Sequence, residues 1–103
     1  MQTAAVILAK VDTTSKDDIE LLGKKIARLT TICILNKIGI FEVLSVVGST
    51  KDAISRIKEL SKSGTFQYLV ILSPKDLTNS EAEYLKLVDE LLAWHGVQVQ
   101  VVK

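Results

Sequence analysis

The 103-residue chain has one cysteine, one histidine and one proline. A single cysteine, Cys33, cannot form an intramolecular disulfide, which excludes the disulfide scaffolds of small secreted proteins. Cys33 and His95 are too few to supply the four cysteine and histidine ligands of a structural zinc site. The sequence therefore predicts a protein without a metal or other cofactor.

An excess of charge of one sign is also lacking. The 13 basic residues are interleaved with 12 acidic ones, which leaves a net charge of +1. Nucleic-acid-binding domains usually show a basic face and a pI above about 9. The first apolar run is shorter than the about 20 residues of a membrane span, and no basic segment precedes it as in a signal peptide. We expect a cytoplasmic protein that binds neither DNA nor a membrane.

Apolar residues, by contrast, are plentiful, and they fall into four runs typical of β-strands. Residues 4–11 and 66–73 are almost continuously apolar, as in strands that are buried on both faces, whereas residues 41–47 are mixed. Residues 97–102 alternate, with Val97, Val99 and Val101 on one face and Gln98 and Gln100 on the other. This alternation is typical of a strand with one solvated face at a sheet edge.

Three helices are predicted between these strands. Each begins with a hydroxyl residue followed three positions later by a carboxylate, and each is followed by a glycine suited to the left-handed conformation. The starts are Ser15-x-x-Asp18, Ser49-x-x-Asp52 and Thr78-x-x-Glu81, and the glycines are Gly39, Gly64 and Gly96. Apolar residues at steps of three and four predict the buried faces. They are Ile19, Leu22, Ile26, Leu29 and Cys33, then Ala53 or Ile54 with Ile57 and Leu60, then Leu85, Val88, Leu91 and Leu92.

The resulting β-α-β-α-β-α-β pattern predicts one domain, residues 1–103, with a parallel sheet and helices on both faces. The most apolar strands, the first and third, should be central. This gives a flavodoxin-like three-layer sandwich with a four-stranded sheet of order 2-1-3-4. In such sheets the ligand crevice lies beyond the carboxyl ends of the strands where the order reverses. Residues 10–15 and 73–79 should form that crevice.

The run AAVILAKVDT of residues 4–13 resembles the first strand of serine recombinase (resolvase/invertase) catalytic domains, which leads into an Arg-x-Ser motif. Residues 74–79, PKDLTN, resemble the family's Leu-Asp-Arg-Leu-Ser-Arg-like motif, and Gly96-Val97 resembles the Gly-Val before its last strand. The resemblance covers residues 4–102. It implies a resolvase-like fold with a phosphate-binding active site in the same crevice.

The positions that carry the family's chemistry differ in this chain. Lys10 stands at the place of an arginine, Asp12 at that of the nucleophilic serine, Lys75 at that of an aspartate, and Asp76 and Asn79 at those of two arginines. Attack on a phosphodiester needs an activated hydroxyl and guanidinium groups around the phosphate. Thr13 or Ser73 offers a hydroxyl, but lysine lacks the bidentate guanidinium fork. We therefore predict a degenerate site, no catalytic residues, no enzyme and no recombinase activity.

Two classes of function remain open. The first is a non-catalytic resolvase-like domain from a mobile element or prophage, which acts through protein–protein contact. Its interaction edge would be the exposed strand Val97–Val101, through self-association or partner docking. The second is a small enzyme or phosphate- or Mg²⁺-binding domain that uses the crevice around Asp12 and Lys75. In the first case the acids should simply pair with neighbouring lysines, as Lys10–Asp12 and Lys75–Asp76. Residual DNA binding is a third and weaker alternative.

Overall fold

The computed structural model describes residues 3–102, which form a four-stranded sheet flanked by three α-helices. The strands are β1 (Ala4–Val11), β2 (Gly39–Val47), β3 (Tyr68–Ile71) and β4 (Gln98–Val101). The helices are α1 (Lys16–Leu35), α2 (Lys51–Ser61) and α3 (Glu81–His95), and a 3₁₀ turn, Pro74–Asp76, follows β3. The strand order is β2-β1-β3-β4 and every pair is parallel. The predicted fold class and strand order are confirmed.

The core is built around β1, whose side chains alternate between two apolar clusters. Val6 and Leu8 pack on one face of the sheet with α2 and α3, while Ala5 and Ile7 pack on the other face with α1. All five residues from Ala5 to Ala9 are fully buried. A strand that is buried on both faces needs apolar residues at every position, which explains its unbroken apolar sequence.

The two outer strands differ in how their edges are exposed. β2 has a bulge opposite Ala5 and Val6, where Phe41 is the extra residue. β4 is short and half polar, with Val99 packed against the core and Gln98 exposed. The predicted solvated face of the last strand is therefore present, and Val97, just before it, is fully buried.

Several predicted helix ends are wrong by one or two residues. The N-cap residue of α2 is Thr50 rather than Ser49, and its side chain makes no capping hydrogen bond. The N-cap residue of α3 is Ser80, whose Oγ accepts a hydrogen bond from the backbone N–H of Glu83. Thr78 instead donates its hydroxyl to the Glu83 carboxylate.

At the end of α1 the left-handed position is taken by Lys37, with φ of 58°. Gly39 is the first residue of β2, and its N–H donates to the Thr3 carbonyl.

The predicted buried faces are correct for α2 but partly wrong for α1 and α3. Ile57 is buried, as expected, whereas Ile19 is 46% exposed, and Leu85 and Leu92 are each 56% exposed. The buried residues of α3 are Leu87 and Leu91. Because each helical residue turns the side chain by about 100°, neighbours of a buried leucine point elsewhere. Within residues 3–102, none of the helices has the length and apolar character needed to cross a membrane.

The turn between α3 and β4 depends on Gly96, as predicted. Gly96 has φ of 68°, in the left-handed region. Its N–H donates to the Leu92 carbonyl, and the N–H of Val97 donates to the Leu91 carbonyl. The turn thus closes the last carbonyls of α3 and starts β4 directly under the helix.

We expect Gly96→Ala to lower the free energy of unfolding by about 1–2 kcal/mol, because alanine is strained at a positive φ. Gly23→Ala is the matched control. Gly23 lies inside α1 and an added Cβ would meet no atom within 4 Å. Alanine there should stabilise the protein by about 0.5–1 kcal/mol. Urea denaturation of both variants measures the two changes, and equal effects would contradict this account of the turn.

Candidate functional site

A crevice opens where β1 and β3 end. β1 leads to α1 on one face of the sheet and β3 leads to α3 on the other, so the chain leaves this point in two directions. The cavity has a volume of about 200 Å³. The five residues named from the sequence all line it: Lys10, Asp12, Lys75, Asp76 and Asn79. The fold thus brings together two segments that are far apart in the sequence.

Lys10 and Asp12 form an ion pair at the mouth of the crevice. The Lys10 Nζ lies 2.8 Å from Asp12 Oδ1, and the Lys10 side chain is 14% exposed while that of Asp12 is 84% exposed. The hydrogen bond from Lys10, followed by its charge, lowers the pKa of Asp12 below its usual value. Asp12 therefore stays a carboxylate at neutral pH and occupies one hydrogen-bonding position of Lys10.

Asp76 is the buried acid of the site, and its partner differs from the predicted one. Asp76 Oδ1 lies 3.2 Å from the Nζ of Lys25, while Lys75 is exposed. The predicted Lys75–Asp76 pair is wrong. In a 3₁₀ turn successive side chains diverge by about 120°, so when Asp76 points inward its neighbour points out. The predicted Lys10–Asp12 pair is present.

Lys25 is the site residue that the sequence reasoning missed. Its Nζ also donates to the backbone carbonyl of Lys10 at 2.8 Å, so it joins the end of β1 to the turn after β3. In α1 it lies three residues after Leu22 and four before Leu29, both of which are buried. A lysine on the buried face of a helix is the signal that was available, because its stem can cross apolar surface while the ammonium group reaches a polar site.

The second oxygen of Asp76 is an unsatisfied polar atom among residues 3–102. Asp76 Oδ2 is buried and accepts no hydrogen bond from any residue between 3 and 102. A buried polar atom in this state costs about 1–3 kcal/mol. Because Oδ2 makes no hydrogen bond, the ion pair between Oδ1 and Lys25 is the contact that offsets the burial of the Asp76 carboxylate.

The hydroxyls beside the crevice are used in helix caps. Thr13 Oγ1 donates to Asp18 Oδ2 at 2.6 Å, and Ser15 Oγ accepts from the Asp18 backbone N–H at 3.2 Å. Ser73 Oγ accepts from the backbone N–H of Lys75 at the start of the 3₁₀ turn. These contacts hold the first turn of α1 and the 3₁₀ turn in place on either side of the crevice.

The charges of the crevice balance. Its lining contains three lysines and three aspartates, and no arginine is among the lining residues that the structure describes. Lys10 and Lys25 are tied to carboxylates, whereas Lys75 has no carboxylate within salt-bridge distance in residues 3–102. In the same range no three or more His, Cys, Asp or Glu side chains are grouped to hold a metal ion. Lys75 is therefore the lysine of the crevice whose positive charge is not paired with a carboxylate among residues 3–102.

A second cavity continues from the crevice past Lys75. It has a volume of about 370 Å³ and shares Lys10, Lys75 and Asn79 with the first. Its far wall is the loop from Gly48 to Thr50, which precedes the N-terminus of α2. The positive end of a helix dipole and an unpaired lysine therefore face one space.

Two solved structures resemble this protein closely in fold. The first is the C-terminal catalytic domain of ISC1926 TnpA, an IS607-like serine recombinase. It is 26% identical with a TM-score of 0.80, over 97% of this chain and 67% of that one. The second is the N-terminal catalytic domain of TP901-1 integrase, at 16% identity and a TM-score of 0.81, over 96% of this chain and 77% of that one. No protein-family model matches the sequence, and no curated protein does.

These neighbours confirm the resemblance to serine recombinase catalytic domains and the resolvase-like fold. They contradict one expectation. From Asp12, Asp76 and Asn79 we predicted that the protein is not an enzyme and has no recombinase activity. Both neighbours are catalytic domains, and the fold therefore points to an enzyme family. The inference from single substituted positions was wrong because it treated loss of the family's residues as loss of any chemistry at the crevice.

We expect Lys25→Met to destabilise the fold by about 1–3 kcal/mol, because it leaves the buried Asp76 carboxylate without its partner. The matched control is Lys24→Met, at the exposed neighbouring position of α1. The double variant Lys25→Met with Asp76→Leu removes both charges and should regain most of the loss. Chemical denaturation measures the free energy of unfolding of the three variants. Equal values for Lys25→Met and Lys24→Met would show that the Lys25–Asp76 ion pair does not stabilise the fold.

Proposed function

We propose that residues 1–103 form a resolvase-like domain that works through protein–protein contact, and that its partner is another copy of itself. The proposal rests on the unprotected outer edge of β4. Within the described chain β4 pairs with β3 alone, and it contains no charged residue and no proline. An edge strand of this kind presents unpaired backbone donors and acceptors to a second strand.

The opposite edge of the sheet supports this interpretation by contrast. β2 has a bulge, and Glu42 within it forms an ion pair with Arg56 of α2 at 3.3 Å. Bulges and charges are the devices by which proteins protect sheet edges from pairing. β2 carries both of them, whereas β4 has only valine and glutamine side chains. The edge Val97–Val101 is therefore the interaction edge that we propose.

The two structural neighbours, a TnpA and an integrase, support an origin in a mobile element or prophage. A cytoplasmic location remains part of the proposal. It is compatible with the single Cys33, which is a buried free thiol whose burial raises its pKa above the usual value.

A second candidate function, a ligand site in the crevice, is favoured by the free Lys75. This lysine lines both the crevice and the cavity at the N-terminus of α2. Ser49, Thr50 and Asn79 add polar groups there, and Glu83, which accepts a hydrogen bond from Thr78, adds one carboxylate. A phosphate-type anion suits a lysine and a helix N-terminus. Because the neighbours are catalytic domains, this crevice is also where we place any reaction of the protein.

Self-association is tested by static light scattering during size exclusion over the micromolar range. The mass should rise from 11.3 kDa towards twice that value with concentration. Val101→Lys should keep the protein monomeric, since a lysine on an edge strand opposes pairing. Val43→Lys on β2 is the matched control, because the two valines are 39% and 41% exposed. A constant monomer mass would exclude the proposed self-association.

The crevice is tested separately with inorganic phosphate, followed by chemical shifts of backbone amides. Lys75→Ala should weaken binding severalfold, because it removes the unpaired positive charge. Asp12→Ala should strengthen binding, because it removes a negative charge and frees Lys10. Addition of Mg²⁺ alone tests the cation alternative. Unchanged amide shifts at Lys75, Asn79 and Thr50 with both ions would rule out this second function.

A further inference from the structure

The side of α3 that faces away from α2 carries two exposed leucines. Glu90 of α3 forms an ion pair with Lys58 of α2 at 3.0 Å, which fixes the side that faces α2. At about 100° per residue, Leu85 and Leu92 lie roughly 140–160° around the helix from Glu90. Both leucines are 56% exposed. They therefore point outward over the β4 edge of the sheet.

The side chains of β4 continue this apolar surface. Val99 packs into the same core cluster as Leu87 and Leu91 of α3, so the odd-numbered valines of β4 lie on the α3 face of the sheet. Val101 is 39% exposed on that face. We call the surface formed by Leu85, Leu92 and Val101 the α3 margin.

The backbone of β4 is oriented for pairing at its outer edge. The N–H of Gln98 donates to the Gln67 carbonyl and that of Val102 to the Ile71 carbonyl, each at 2.9 Å. Backbone groups alternate in direction along a strand. The N–H and C=O groups of Val99 and Val101 therefore point away from β3, towards a second strand.

The geometry points to a symmetric dimer in which β4 pairs antiparallel with β4 of a second copy, to give one eight-stranded sheet. This inference rests on the self-association proposed above and specifies its surface. The two-fold axis runs perpendicular to the sheet through Gln100. Val99 then exchanges both of its backbone hydrogen bonds with the partner's Val101, and the two Gln100 side chains are opposite each other.

The spacing of the helices agrees with this arrangement. Adjacent strands are about 4.8 Å apart, and helices pack at interaxial distances of about 8–10 Å. Leu87 and Leu91 of α3 share one apolar cluster with Leu69 and Ile71 of β3 and with Val99 of β4. A helix above the middle of these two strands lies roughly 5 Å from the axis, so the two copies of α3 are about 10 Å apart. Pairing the strands thus brings the helices to packing distance.

The two copies of α3 also align with each other along the direction of the strands. Gln100 lies about 13 Å along the strand from the Gly96 turn. Over the same distance a helix contains nearly nine residues, so Gln100 is level with Leu87 or Val88 of α3. Leu85 and Leu92 lie on either side of this level. Because the helices are antiparallel, Leu85 of one copy lies near the partner's Leu92. Glu81 and His95 lie at opposite ends of α3, on the same side as these leucines. The antiparallel arrangement therefore places Glu81 near the partner's His95.

A four-residue strand pair is too short to hold a dimer alone. Leu85→Glu and Leu92→Glu should therefore each return the protein to the monomer mass, although they leave β4 unchanged. Leu35→Glu is the control, because Leu35 is 75% exposed at the end of α1, away from the α3 margin. Its dimer should persist. A dimer that survives both α3 variants would overturn the assignment of this margin.

Disulfide trapping tests the register. In the proposed pairing the two Gln100 Cβ atoms are about 5 Å apart, which is close enough for Gln100→Cys to form an intersubunit disulfide. Gln98→Cys is the matched control, because its two copies are displaced by four residues, about 13 Å. The unmodified chain, with its buried Cys33, should not cross-link.

The outcomes separate the two proposals. A dimer by light scattering with rapid cross-linking of Gln100→Cys alone supports the register. A dimer in which Gln98→Cys cross-links instead, or in which neither variant does, refutes this pairing and leaves self-association standing. A monomer at every concentration refutes both.

Discussion

The complete burial of β1 is the constraint on which the rest of this structure depends. Five consecutive residues, Ala5 to Ala9, have no solvent exposure because they pack on α1 on one side and on α2 and α3 on the other. A strand with two covered faces has to lie inside the sheet. Its neighbours are β2 and β3, and β4 is left at the margin. The same arrangement places Lys10 and Asp12 at the open carboxyl end, next to the turn after β3.

The crevice lies at the carboxyl ends of β1 and β3, and its charges balance. Three lysines meet three aspartates, two of the lysines are paired, and Asp76 is held through Lys25 from a helix rather than by its neighbour Lys75. The structural neighbours are catalytic domains, so the fold points to an enzyme family even with these residues in the crevice. Lys75 has no carboxylate within salt-bridge distance among residues 3–102, and it lines the cavity beside α2.

The strands and their order could be predicted because they follow from local pattern alone. Continuous apolar runs identified β1 and β3, and alternation identified the half-solvated strand at Val97–Val101. The buried side of α3 could not be predicted in the same way. Leu85, Leu87, Leu91 and Leu92 offer two apolar faces with helical spacing, and only packing on the sheet selects Leu87 and Leu91. Lys25 was missed for a related reason, since its ammonium group contacts residues 15 and 51 positions away in sequence.

The proposed pairing of β4 with a second copy joins these observations, since it covers the unprotected edge and the leucines that the sheet leaves exposed. Amide hydrogen exchange at single residues, measured by NMR as a function of protein concentration, tests it most directly. The outward N–H groups of Val99 and Val101 should exchange more slowly as concentration rises, because a hydrogen bond to a second strand protects them. Those of Gln98 and Val102, which already donate within the sheet, should change little. Fast exchange at Val99 and Val101 at every concentration would contradict the account.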